Sequence, residues 1–217
     1  MSNDAFVRNL IFKSNDLGKQ SDLLLTFNRP MPGIYEDYFP VVWRVHTFGA
    51  EGAYAMRATY SGQQFSFTKP KVNDGIIIGA LASVDINGRQ QTTLTKDSGA
   101  FEFSAPVEAS YMKAINDTGA KVDFTFDFKT TEASLPTPML YYNNVESCNT
   151  ETKVALPPRY DLTLRAYVTS GYTEGQILQG EITAPLLWEA NLVELSETTT
   201  WNLTWDPLTG RYNITKA

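Results

Sequence analysis

The sequence predicts an all-β protein, an antiparallel β-sandwich with at most one short helix, and three observations lead there. Apolar and polar residues alternate with period two along most of the 217 residues. In the clearest stretch Val122, Phe124, Phe126 and Phe128 share one strand face while Asp123, Thr125, Asp127 and Lys129 share the other, which describes a half-buried strand. Turn signals interrupt the alternation at short intervals, the spacing of sandwiches and barrels. Finally, 42% of the chain is apolar and 12% aromatic, a leaning toward residues that fit a pleated surface. A chain of this length buries enough apolar area to fold as one domain over 1–217 without disulfide or metal.

The expected strands run in order over 6–12, 23–27, 41–48, 53–60, 107–115, 122–129, 160–169 and 176–183. Two hairpins add to them. Asn87-Gly88 supplies positive φ cheaply at both centres of a type I′ turn, so the strand over 76–86 is expected to pair with 89–95. Asp206-Pro207-Leu208-Thr209-Gly210 reads as a type I turn closed by a glycine bulge, joining Trp201, Leu203 and Trp205 to Tyr212 and Ile214. Pro30, Pro32, Pro40, Pro70, Pro106, Pro136, Pro138, Pro157, Pro158 and Pro185 are expected at strand starts and in connections, where no ladder donor is missed. Helical spacing is confined to 188–196, with Leu192 and Leu195 on one side.

A net charge of -6 repels phosphate backbones and anionic membrane faces, and Lys69, Lys71, Arg8 and Lys13 are isolated charges rather than a basic run. Nucleic acid is therefore not an expected partner. Cys148 is the one cysteine, and the N-terminal residues open polar without an apolar signal core, so the expected location is cytoplasmic. The Asn-x-Thr matches at Asn116, Asn202 and Asn213 then carry no glycan. No apolar run approaches the roughly 20 residues of a membrane-spanning helix.

Catalytic signatures do not emerge. His46 is the single histidine and reads either as an ordinary half-buried residue travelling with Arg44 or as a ligand-contacting imidazole. One cysteine with one histidine cannot make the usual zinc sets, and a Cys148/His46 nucleophilic pair is only arithmetically available, since a lone cysteine more often packs. Neither a nucleophile elbow nor a phosphate loop is present, and the chain is expected not to be an enzyme. Asn73-Asp74-Gly75 and Asn116-Asp117-Thr118-Gly119 read as turns; either offers oxygen ligands to a hard cation such as calcium, though without the spaced carboxylates of a calcium loop. Metal content stays open.

Aromatic residues are the remaining lead. Trp201, Leu203 and Trp205 lie on one strand face and read as a core stripe or as part of a ligand cage, whereas Tyr35-Glu36-Asp37-Tyr38-Phe39-Pro40 lies in a Pro/Gly-bounded loop suited to a flat apolar ligand. The expected pocket walls are Tyr38, Trp43, Tyr111, Trp188, Trp201 and Trp205, with Arg44 or His46 as the polar contact. Exposed rings of this kind also suit a homodimer or a sugar-binding surface.

Two resemblances extend the reading. Leu156-Pro157-Pro158-Arg159 leading into an alternating strand, after the Ser/Thr-containing stretch over 130–152, is similar to aerolysin-like pore formers, in which an amphipathic hairpin joins a membrane barrel. The blocks Tyr38-Phe39-Pro40-Val41-Val42-Trp43-Arg44-Val45, Ala114-Ile115-Asn116-Asp117-Thr118-Gly119-Ala120, Leu164-Arg165-Ala166-Tyr167-Val168-Thr169-Ser170, Thr199-Thr200-Trp201-Asn202-Leu203 and Thr209-Gly210-Arg211-Tyr212 resemble a family of intracellular mushroom proteins that includes the pink chromoprotein of oyster mushrooms. That resemblance implies a non-enzymatic carrier holding an indolone-type pigment without covalent chemistry, and it transfers no contacting residues. The function expected is binding of a flat, indole-derived pigment; a pore-forming defence protein and a lectin-like module are the alternatives.

Overall fold

A computed structural model describes residues 6–147, 153–155 and 162–217. Cys148, the run from Leu156 to Arg159 and the start of the strand expected over 160–169 lie outside the described residues. The first strands are β1 (Val7–Asn15), β2 (Ser21–Thr26), β3 (Phe39–Pro40), β4 (Val42–Phe48), β5 (Ala53–Ser61) and β6 (Gln64–Asn73). Then come β7 (Ile76–Ile86), β8 (Gln90–Asp97), β9 (Ala100–Phe103), β10 (Val107–Glu108), β11 (Lys113–Asp117) and β12 (Val122–Lys129). The last are β13 (Thr137–Val145), β14 (Lys153–Ala155), β15 (Thr163–Val168), β16 (Trp188–Asn191), β17 (Thr198–Asp206) and β18 (Arg211–Lys216).

These strands form four sheets, ordered β18-β17-β1-β5, β16-β15-β2-β4, β3-β13-β12-β6-β7 and β10-β8-β11-β14, with β9 paired to β8. The fold is all-β, as the alternation predicts. Most pairings are antiparallel; β1 with β17 and β8 with β11 are parallel, which period two does not reveal because both ladders alternate side chains alike. One continuous core joins the sheets. Leu10 and Phe12 meet Leu23, Leu25, Trp43, Met56, Tyr60, Phe67, Leu94, Ala114, Phe124, Phe126, Phe128, Leu164, Trp188 and Leu203 in it. Most of its aromatic rings pack edge to face or tilted, Tyr60 lying 4.8 Å from Phe128 and Phe12 lying 5.4 Å from Trp188, while Phe126 stacks on Phe65.

Several local elements differ from expectation. Asn87-Gly88 does not close a hairpin: β7 pairs with β6, and β8 belongs to another sheet. Two-residue loops with positive φ at both centres occur instead at Asp74-Gly75, at 48° and 75° between the paired Asn73 and Ile76, and at Ser98-Gly99, at 49° and 91° between the paired Asp97 and Ala100. At the crossing from β7 to β8 the positive φ falls instead on Arg89. By contrast the loop from Asp206 to Gly210 behaves as its sequence predicts, with Gly210 at φ 67° donating to the Asp206 carbonyl at 2.8 Å, and Trp205 paired with Tyr212. The stretch over 107–115 is broken into β10 and β11. Pro70 and Pro138 lie inside strands rather than between them, each at a register shift where the ladder is already interrupted. The helical spacing after Trp188 yields strand β16 and then a single 3₁₀ turn, Leu192–Glu194, whose Val193 N–H donates to Asn191 Oδ1 at 2.9 Å.

Strand β12 departs furthest from a half-buried strand. Alternation predicts a wet polar face, yet Thr125 and Asp127 are each 1% exposed and Lys129 is buried too. The segment expected as a strand over 176–183 makes only isolated bridges, Ile177 to Val41 and Gln176 to Ile76. It acts as a strap. Val42 N–H donates to the Gln176 carbonyl at 2.9 Å, Leu178 N–H to the Pro40 carbonyl at 2.9 Å, and Ile77 N–H to the Gly175 carbonyl at 2.9 Å. Val41, Tyr141 and Ile177, with Phe39 and Ile77 beside them, thus make a small second apolar layer on the polar side of the third sheet.

Candidate functional site

Where the strap, the start of β4 and the loop preceding β13 converge on that face, they enclose a half-open cleft of about 300 Å³. Its floor is Thr125 and Asp127 of β12 with Thr68 of β6, its walls include Trp43 and Arg44 of β4 and Ile77 and Ala80 of β7, and its rim holds Leu135, Pro136, Pro138, Glu174 and Gly175. Register explains the floor: Thr68 lies opposite Thr125, so three polar side chains share one buried face. Gly175 has φ 81°, and a Cβ there would stand 2.8 Å from the Ile77 carbonyl oxygen, so only glycine lets the strap lie this close to β7.

The electrostatics centre on Asp127. Burial pushes its carboxyl from the ordinary 3.8 up to about 7, opposed by the neighbouring hydroxyls of Thr68 and Thr125. Thr125 Oγ1 donates to Asp127 Oδ2 at 3.1 Å; the Thr68 hydroxyl stands beside the carboxyl without hydrogen-bond geometry, and its Oγ1 has no partner among the described residues. Trp43 Nε1 and Arg44 Nε are likewise buried and unpartnered among the described residues. All three atoms are closed to solvent, and such unpartnered groups are uncommon because nearly all buried polar groups in native proteins are satisfied.

Of the ring and polar residues singled out from sequence, the cleft brings together Trp43 and Arg44. Trp43 is 3% exposed, reaching the main core through Phe27 at 5.4 Å and Phe128 at 5.6 Å while also lining the cleft. Arg44 Nη1 donates to Glu174 Oε2 at 3.2 Å. The other candidates are scattered. Tyr38, expected at a loop surface, is buried instead, its hydroxyl donating to the Pro32 carbonyl at 2.7 Å and its ring 5.9 Å from Tyr142. Trp188 and Trp201 pack at 5.1 Å, and Trp205 packs on Tyr212 at 4.6 Å with Lys19 over its ring. Tyr111 lies at the surface near Lys113. His46 lies edge-on to Phe48 at 5.0 Å, with its Nε2 buried and unpartnered among the described residues; it does not line the cleft.

Sequence reasoning misses Asp127, Thr68, Thr125 and Glu174. Asp127 occupies the polar parity of an ordinary amphipathic strand, and no local signal marks a residue that a strap far along the chain will cover. A smaller cavity of about 160 Å³ lies beside Tyr35, whose φ of 65° is rare for a bulky residue. There Asn28 Nδ2 donates to the Tyr167 hydroxyl at 3.1 Å. Of the turns that offer oxygen ligands to a cation, the one at Asn116 is internally committed: Asn116 Nδ2 donates to the carbonyls of Ala120 and Val145, both at 2.8 Å. No cluster of three or more His, Cys, Asp or Glu side chains converges among the described residues, and no helix among them is long and apolar enough to cross a membrane. The chain matches no protein-family model, no curated protein and no solved structure.

Proposed function

We propose that this protein is a non-enzymatic carrier of a small flat aromatic ligand, held in the cleft without a covalent bond, with an indole-derived pigment as the ligand class that the sequence resemblance implies. One observation carries the reading: a cavity of about 300 Å³ bounded by Trp43, Ile77, Ala80 and prolines, with the polar residues Arg44, Thr68, Thr125, Asp127 and Glu174 completing its lining. Mostly apolar walls with a few convergent polar groups are the usual make-up of a small-molecule site. Trp43 supplies the aromatic wall and Asp127 the polar anchor.

The test is the ultraviolet-visible spectrum and non-denaturing mass of protein purified natively from its source. The reading expects a mass above that of the bare chain, together with an absorption band beyond the aromatic residues' own if the occupant is a pigment. A colourless protein with the mass of the chain alone would overturn it.

A further inference from the structure

The charges around the cleft point to more than a flat ring: we infer that its occupant carries a protonated nitrogen seated on the Asp127 carboxylate, making the ligand class an aromatic amine cation. This rests on the carrier reading and sharpens it. Asp127 is 1% exposed, and its one side-chain hydrogen bond among the described residues comes from neutral Thr125. The cations close by in sequence and register are committed elsewhere. Lys129, two positions along the same strand face, donates to Asp85 Oδ1 at 3.1 Å and Oδ2 at 2.9 Å. Arg44 pairs with Glu174, whose second oxygen accepts from Val45 N–H at 3.1 Å.

Among the ionisable side chains that line the cleft, Asp127 and Glu174 are acidic and Arg44 is basic, which leaves one unbalanced negative charge when all are ionised. A buried charge is tolerated only when paired. Above the pH at which the carboxyl ionises, a neutral guest leaves the carboxylate unmatched and an anion makes matters worse, whereas a monocation balances the site. The chain's net charge of -6 draws cations toward it in the same sense. Leu135, 87% exposed at the rim, and Pro136 and Pro138 beside it offer apolar contact to the uncharged part of such a molecule.

Titration calorimetry on the whole, ligand-free chain in mildly alkaline buffer tests this with three probes sharing one ring: tryptamine, its neutral analogue tryptophol, and anionic indoleacetate. The expected result is tryptamine binding at least about tenfold tighter than tryptophol, the scale of a hydrogen bond to a charged group, with indoleacetate weakest. Asp127→Asn is expected to erase the tryptamine preference over tryptophol. Equal binding of tryptamine and tryptophol to the wild type overturns the cation inference and leaves the carrier reading standing. Absence of binding by all three overturns both, and each of these two outcomes is read on the wild-type chain, whether or not the variant folds.

Discussion

Replacing Asp127 with asparagine should stabilise the ligand-free protein, by an amount that depends on pH. The side chain is buried, and its carboxyl titrates at about 7 in the fold against 3.8 in an ordinary setting. Below 3.8 both folded and unfolded chains hold the proton. As pH rises from there to about 7 the unfolded chain releases it while the folded chain keeps it, so the folded state binds more protons and stability falls across that window. A separation of roughly three pH units at 1.36 kcal/mol each amounts to about 4 kcal/mol lost above the window. At pH 5 about 1.5 kcal/mol of that has already gone, and at pH 8 nearly all of it.

Asparagine keeps the volume and an acceptor for Thr125 but never ionises. The stability difference between Asp127→Asn and wild type should therefore shift in the variant's favour by about 2.5 kcal/mol between pH 5 and pH 8. Urea unfolding of both proteins at the two pH values measures it, and the titrations they share cancel. A difference that is the same at both pH values would refute the buried-carboxylate argument, and with it the electrostatic basis assigned to the cleft.

Other substitutions probe the frame that holds the site. Gly175→Ala places a methyl 2.8 Å from the Ile77 carbonyl at a φ of 81°; a loss of at least about 2 kcal/mol in urea unfolding is expected, together with faster amide exchange at Ile77 and Ile177 as the strap lifts. Phe126→Ala removes a fully buried ring that stacks on Phe65 at 5.2 Å and meets Phe67 at 5.6 Å, and chemical denaturation should show a loss of about 3–5 kcal/mol. Asn116→Ala removes a donor from the Ala120 and Val145 carbonyls and the acceptor of the Thr118 N–H, which donates to Asn116 Oδ1 at 3.0 Å; thermal unfolding should reveal a cost of about 1–3 kcal/mol.

Secondary-structure type is legible in the sequence wherever one residue's neighbours suffice to set it. Phe124, Phe126 and Phe128 do face the core as their spacing requires, and the loop from Asp206 to Gly210 closes the hairpin it encodes. Pairing partners are less legible. Asn87-Gly88 carries a strong turn signal, yet the chain uses that point to leave one sheet for another, because the neighbouring Asp74-Gly75 already gives β7 its partner in β6. Likewise the aromatic inventory is plain, but Trp188, Trp201 and Tyr38 go into packing and Trp43 into the cleft.

By itself, then, the sequence determined an all-β chain with aromatic faces to bury and a net negative charge, since alternation, turn chemistry and composition act over a few residues at a time. Only the tertiary structure decided that Asp127 would be a buried acid rather than a solvated one. That outcome depends on the strap around Gly175–Leu178 meeting β4 and β7 across long sequence separations, and desolvation is a property of everything that surrounds a group in space rather than of its neighbours along the chain.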